Sequence, residues 1–107
     1  MIVRGNLSEG IPAHLPEELV TVLAAGPGVR IERIVSRGHA SPPGFWYDQE
    51  EDELVLLVSG AARLQIEGGP ELALGEGDWV ELPRHLRHRV AWTAPDRDTV
   101  WLAVFRR

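Results

Sequence analysis

The sequence is interrupted at short intervals by turn-forming residues, and this feature limits the folds that it can adopt. Eleven Gly and eight Pro occur among its 107 residues. They concentrate at six turn signals: residues 26–28, 41–44, 59–60, 68–70, 75–77 and 94–96. Most stretches between these signals run for about five to ten residues, which suits strands better than helices. The spacing of turns therefore predicts an all-β fold.

Six of these stretches are rich in the apolar and β-branched residues that favour strands. They are residues 29–36, 54–58, 62–66, 79–82, 88–93 and 99–105. Residues 54–58 and 100–105 are apolar at both alternating sets of positions, so both faces of each strand should be covered. This favours two packed antiparallel sheets with one outer face against a second subunit, and we expect a homodimer. Residues 15–25 combine a helix-like first turn with a β-branched run, and we predict a strand there.

Length and composition predict one compact domain spanning residues 1–107. A formal net charge of -5 argues against a nucleic-acid partner. The absence of Cys excludes disulfides and thiolate catalysis, and all eleven basic residues are Arg, which excludes Schiff-base chemistry on Lys. No stretch approaches the ~18 apolar residues of a membrane span, and the first residues lack a signal-peptide pattern. We expect no membrane association and a cytoplasmic location.

Two groups of titratable residues stand at the starts of predicted strands. Residues 48–53 are mostly acidic, and residues 83–88 include His85 and His88. In a small β-barrel, polar side chains that point inward at a strand start lie near the mouth, where water, a metal or a ligand satisfies them. We therefore expect the two groups to share one site.

The same two groups carry a family resemblance. Glu53 and Gly60, with six residues between them, match the end of the motif G-x5-H-x-H-x3,4-E-x6-G. Gly77, Pro83 and His88 match the motif G-x5-P-x-G-x2-H-x3-N. Residues 44–92 thus resemble the core of a small single-domain cupin. The resemblance implies an antiparallel double-stranded β-helix, or jelly-roll barrel, often dimeric, with a metal or a small ligand inside.

The first motif departs from the family at both of its histidines. With the three-residue spacer the histidine positions hold Tyr47 and Gln49, and with the four-residue spacer they hold Trp46 and Asp48. In the second motif His85 stands where the family has Gly. Two of the four metal ligands that the resemblance implies are therefore missing.

A divalent ion, such as Zn, Fe, Mn or Ni, would have to use the ligands that remain. The candidates are Glu53, His88, Gln49 and His85. A metal site with open positions needs about three protein ligands, so this set is at the lower limit. Trp46 and Tyr47 adjoin these residues, and we expect them to line the pocket.

Each candidate ligand also has a purely structural interpretation. Glu53 could form an ion pair with Arg87 or Arg89. His88 could be a buried histidine that hydrogen-bonds to a neighbour. His85 could be an exposed residue of the turn before its strand.

Two classes of function follow from these alternatives. A metal held by Glu53 and His88, with Gln49 or His85, would support the oxygenase or isomerase chemistry that the resemblance implies. Loss of the two motif histidines favours instead a non-catalytic protein that binds a small molecule, or an accessory protein with a degenerate, metal-free site. Any acid or base role would fall to Glu53 or His88, because a hydrophobic barrel raises the pKa of a carboxyl group.

Overall fold

The computed structural model describes residues 1–107, and its regular structure consists of eight β-strands. The strands are β1 (Leu19–Gly26), β2 (Val29–Ser36), β3 (Asp52–Ser59), β4 (Ala62–Ile66), β5 (Glu71–Leu74), β6 (Trp79–Leu82), β7 (His88–Thr93) and β8 (Thr99–Arg106). The structure contains no helix with the length and hydrophobicity that spanning a membrane requires.

The strand positions follow the turn signals closely. Four predicted strands coincide with β2, β4, β6 and β7, and the strand predicted within residues 15–25 is β1. The prediction missed β5, which has only four residues and is apolar at only Leu72, Ala73 and Leu74. β6 is equally short but contains an aromatic and a β-branched residue, whereas β5 contains neither, so its composition gives no strand signal.

Two antiparallel sheets face each other. One has the order β1-β2-β8-β3-β6, and the other has the order β5-β4-β7. The β2–β8 register is unbroken from Val29↔Arg106 to Ser36↔Thr99, so the centre of the larger sheet is regular. This arrangement confirms the predicted all-β, antiparallel fold.

The core lies between the sheets and is built by alternation along the central strands. In β8, Trp101, Ala103 and Phe105 point inward and are buried, as are Val55 and Leu57 of β3. The opposite face of these strands is less well covered, and Val58 is 40% exposed. The homodimer that would cover this face stays a prediction.

Candidate functional site

A cavity of about 190 Å³ opens between the two sheets. Its walls come mainly from hydrophobic residues: Val20, Ile34, Tyr47, Val55, Leu64, Leu82, Val90, Trp101 and Phe105. Five polar residues complete the lining: Glu18, Glu32, Gln49, Glu53 and His88. An apolar cavity with a few polar groups is the usual form of a small-molecule site.

Glu53 is brought into the cavity by the register of the larger sheet. Glu53 of β3 pairs with Phe105 of β8 on one side and with Leu82 of β6 on the other. Its neighbours are therefore apolar, and the residue is only 8% exposed. Burial, with smaller contributions from the charges of Glu32 and Glu51, raises the pKa of Glu53 to about 7 against the opposing effects of Gln49 and Arg30. The Glu53 carboxyl group therefore exchanges its proton near neutral pH.

His88 begins β7 and faces Glu53 across the cavity. The residue is 5% exposed, and its Nδ1 donates a hydrogen bond to the carbonyl oxygen of Leu86 at 2.9 Å. Because a carbonyl can only accept, Nδ1 carries the proton, and Nε2 of the neutral ring keeps its lone pair. Nε2 lies 3.8 Å from Oε1 of Glu53, too far for a hydrogen bond. Burial also lowers the pKa of His88, against the effect of the Leu86 bond, and so favours this neutral form.

Tyr47 is attached to the start of β7 through its backbone. Its N–H donates to the His88 carbonyl at 2.7 Å, and the His88 N–H donates to the Tyr47 carbonyl at 3.2 Å. The two rings stack with centroids 5.4 Å apart and an angle of 24° between their planes. Burial, with the charges of Glu18 and Glu53, raises the pKa of Tyr47, so its hydroxyl stays protonated. The backbone pairing holds the two residues side by side, and the Tyr47 ring packs against one face of the imidazole.

The structure brings together four of the six residues singled out in the sequence. Tyr47, Gln49, Glu53 and His88 all line the cavity, whereas Trp46 and His85 do not. Both Trp46 and Tyr47 were expected to line the pocket, and of the two only Tyr47 is among the residues that line this cavity.

His85 is also placed differently from its prediction as a ligand. It lies in the turn before β7 with a φ of 64° and a side chain that is 62% exposed. Its Nδ1 lies 2.8 Å from Oδ1 of Asp48, outside the cavity. The turn closed by the Leu86 N–H and the Pro83 carbonyl thus separates His85 from His88. The interpretation of His85 as an exposed turn residue is the one that the structure supports.

The predicted alternative for Glu53, an ion pair with Arg87 or Arg89, is wrong. Arg87 pairs with Glu67 at 3.0 Å, and both side chains are largely open to solvent. Arg89 donates to Gln65 and to the carbonyl oxygen of Ser41. No Arg side chain therefore neutralises Glu53 directly.

Sequence reasoning missed two further carboxyl groups of the cavity. Glu32 was detectable in principle, because it lies two residues before Ile34 in β2, and alternate residues of a strand share one face. Glu18 precedes β1 and has no such pattern. Only the pairing of β1 with β2 brings Glu18 to the mouth of the cavity.

The metal that the cupin resemblance implies can be tested against the donor atoms present. Glu53 offers a carboxylate and His88 offers a free Nε2 lone pair, which are suitable ligands. Gln49 also lines the cavity, but its neutral amide oxygen is a weaker ligand than a carboxylate or an imidazole. No group of three or more His, Cys, Asp or Glu side chains is arranged to hold a metal ion. Two ligands fall short of the three that an open site needs, so the donor set does not fit a resident metal.

The backbone conformation of His85 leads to a stability prediction. A φ of 64° costs a non-glycine residue about 1–2 kcal/mol. We expect His85→Gly to be more stable than His85→Ala by about 1 kcal/mol in urea unfolding, because both variants lose the Asp48 contact and only Gly relieves the strain. Equal stability of the two variants would show that the turn is unstrained.

Known proteins resemble this chain in both sequence and fold. Residues 31–105 match the model of the cupin domain family. A protein from Ralstonia eutropha JMP134, provisionally named a mannose-6-phosphate isomerase, is 47% identical over 98% of each chain, with a TM-score of 0.95. No curated protein sequence matches the chain.

More distant solved structures share the fold alone. A cupin superfamily protein from Desulfitobacterium hafniense DCB-2 is 20% identical, with 90% of this chain and 83% of that chain covered and a TM-score of 0.74. A DMSP lyase from Ruegeria pomeroyi DSS-3 is 21% identical, with 85% of this chain and 46% of that chain covered and a TM-score of 0.67. The family match, the close Ralstonia relative and the two facing antiparallel sheets establish that this chain belongs to the cupin family.

Proposed function

We propose that this cupin binds a small organic molecule in its cavity and that Glu53 and His88 orient the molecule. One observation carries the proposal: two buried polar groups face the same apolar cavity, and Nε2 of His88 forms no hydrogen bond there. This Nε2 faces the cavity with its lone pair free, so it can accept a hydrogen bond from a bound molecule. A ligand with a hydroxyl or amine group would donate that hydrogen bond.

The size and lining of the cavity support a small ligand. Its volume of about 190 Å³ is below the range of roughly 300–1,000 Å³ that drug-sized ligands occupy. The apolar walls would supply affinity, and His88 would accept a hydrogen bond from the ligand. Glu53, with a pKa of about 7, can donate or accept one near neutral pH. The donor set gives no support to a metal-dependent reaction for this chain.

A second candidate function is proton transfer within a bound substrate. The favouring observation is that a base, Nε2 of His88, and a carboxyl group that titrates near neutral pH lie 3.8 Å apart. An isomerase that moves a proton between adjacent carbons needs one group to remove it and one to return it. The Ralstonia relative is named for such a reaction on a sugar phosphate. A coupled assay of mannose 6-phosphate conversion to fructose 6-phosphate tests this candidate directly, with His88→Asn as the inactive control.

Binding is tested by ligand-observed NMR with a library of uncharged and charged fragments of up to about ten heavy atoms. We expect the fragments that bind the unaltered protein to bind His88→Asn at least tenfold more weakly. His14→Asn is the matched control, because His14 is exposed and does not line the cavity. Fragments that bind His88→Asn as well as the unaltered protein would contradict the role of His88.

Elemental analysis of protein purified without a histidine tag tests the conclusion on the metal. Stoichiometric metal that is lost in both Glu53→Gln and His88→Asn would show that these two side chains suffice as ligands. It would replace the metal-free proposal with the metal-dependent alternative.

A further inference from the structure

We infer that the cavity selects a small organic cation over an anion of the same shape. This inference rests on the proposed function and names the chemical class of its ligand. Among the five polar residues that line the cavity, three are carboxylic acids, Glu18, Glu32 and Glu53, and none is Arg. With no Lys in the chain, no cationic side chain other than a protonated His88 can meet an anion there.

Two of the three carboxyl groups have no Arg partner. Glu18 accepts a hydrogen bond from the Ser36 hydroxyl at 2.5 Å, and that hydroxyl in turn accepts one from Nε1 of Trp101 at 3.2 Å. Glu53 has His88 as its neighbour, and burial favours the neutral imidazole. The Ser36 hydroxyl stabilises the Glu18 carboxylate without cancelling its charge, and the neutral imidazole gives Glu53 neither a positive charge nor a hydrogen bond. At pH 8, above the Glu53 pKa of about 7, the negative charge of Glu53 is thus left for a ligand to neutralise.

The nearest Arg is held away from the cavity. Arg30 donates to Glu32 at 2.8 Å and to Glu51 at 3.2 Å, so its charge is already shared between two carboxylates. Its guanidinium group also lies over the Phe105 ring, 4.3 Å from the centroid. In the larger sheet, Phe105 of β8 pairs with Arg30 of β2 on one side and with Glu53 of β3 on the other. Arg30 therefore cannot reach an anion beside Glu53 without leaving these partners.

Two groups inside the cavity respond to this negative charge. After the effect of burial, the charges of Glu18 and Glu53 raise the pKa of Tyr47, and the charge of Glu32 raises that of Glu53. A site whose acidic groups raise one another's pKa values has a negative potential. A bound cation would lower that potential, and a bound anion would increase it.

The walls and the unpartnered imidazole indicate that the cation is organic. Tyr47, Trp101 and Phe105 line the cavity, and aromatic rings attract alkylammonium groups through their faces. His88 is more than nine-tenths buried, and its Nε2 is free to accept a hydrogen bond from a ligand hydroxyl or ammonium group. A phosphorylated ligand, with two negative charges, is disfavoured by the same arrangement.

Three probes of one shape and different charge test the inference. Choline is a cation, 3,3-dimethyl-1-butanol is its uncharged isostere, and 3,3-dimethylbutanoate is an anion. Dissociation constants are measured by ligand-observed NMR at pH 8 and low ionic strength, where surface charges are least screened. We expect choline to bind at least tenfold more tightly than the anion, with the alcohol between them.

A pair of neighbouring variants assigns the charge preference to the cavity. Glu18→Gln removes a carboxylate at the mouth and should weaken choline binding severalfold while leaving alcohol binding unchanged. Glu17→Gln removes the same charge from the adjacent residue, which is exposed like Glu18 but does not line the cavity, and should change neither. Equal effects of the two variants would show that net charge, and not the cavity, sets the preference.

The outcomes separate this inference from the proposed function. If the anion binds as tightly as choline, and His88→Asn weakens both, the cavity is a ligand site but the charge inference is wrong. If none of the three probes binds, the inference is tested by the charge of the fragments that bind in the NMR screen. A mainly anionic set of binding fragments would overturn it. If neither probes nor fragments bind, the proposed function fails together with it.

Discussion

Gly60→Ala is expected to destabilise the protein by about 3 kcal/mol or more, because the added methyl group combines backbone strain with a steric clash. Gly60 follows β3 with a φ of 96°, which non-glycine residues rarely adopt. A Cβ atom at this position would lie 2.4 Å from Oγ1 and 2.6 Å from Cα of Thr99, and 2.8 Å from the carbonyl oxygen of Asp98. Two of these three atoms belong to the backbone at the start of β8, so no side-chain rotation relieves the clash.

Gly60 approaches Thr99 closely because hydrogen bonds join the turn after β3 to the first residue of β8. The Thr99 hydroxyl accepts a hydrogen bond from the Ala61 N–H at 3.3 Å and donates one to the Ala61 carbonyl at 3.2 Å. These bonds pull the turn after β3 against the first residue of β8, and only a residue without a side chain fits between them. A methyl group at Gly60 would therefore disturb the junction of the two strands that carry most of the core.

Gly28→Ala is the matched control for the Gly60 experiment. Gly28 also has a positive φ, 74°, but nothing lies within 4 Å of a Cβ built on it. We expect it to cost only about 1 kcal/mol, from backbone strain alone. Urea unfolding of both variants measures the difference, and a Gly60→Ala cost no larger than that of Gly28→Ala would contradict the steric argument.

Glu53→Gln is expected to stabilise the protein at pH 8 by about 2–3 kcal/mol and to change its stability little at pH 5. The Glu53 pKa is about 7 in the folded chain, against 4.5 as its ordinary value. The difference corresponds to about 3 kcal/mol that favours the protonated, folded form. This contribution is fully present below pH 4.5 and is lost as the pH rises through 7. Gln resembles the protonated carboxyl group at every pH and so avoids the loss.

Comparing the stability of the unaltered protein with that of Glu53→Gln at each pH separates the contribution of Glu53 from that of His88. Burial lowers the pKa of His88, so His88 has the opposite effect, which is a loss of stability as the pH falls through its ordinary value. Because the unaltered protein and Glu53→Gln both contain His88, its contribution largely cancels in the difference. Glu17→Gln, at an exposed position, is the control. Chemical unfolding at pH 5 and pH 8 measures all three proteins, and a pH-independent effect of Glu53→Gln would contradict a raised pKa.

Much of the candidate site was predictable because motif spacing matches strand length. The six residues between Glu53 and Gly60 are the body of β3, so a polar residue at its start and a glycine at its end keep their places in any chain with this strand. The position of His88 at the start of β7 is likewise set by the turn that contains Pro83. These relations are local, and a sequence displays them directly.

The errors arose where a residue's role depends on the other sheet or on the conformation of a single turn. His85 is three residues from His88, yet its positive φ leaves its ring outside the cavity. Trp46 and Tyr47 are neighbours, and only the backbone pairing with His88 selects Tyr47 as the one that lines the cavity. Glu18 joins the site through the β1–β2 pairing, which no local pattern reports.

The sequence by itself determined an all-β chain with its turns, nearly all of its strands and the two residues, Glu53 and His88, around which the cavity is built. Those features depend on short-range alternation and on residues that favour turns, and both are visible along the chain. Only the tertiary structure decided that three carboxyl groups share the cavity and that Arg30 stays behind Phe105. The physical reason is that charge and burial at one point in space are set by strands distant in sequence, through register and the packing of two sheets.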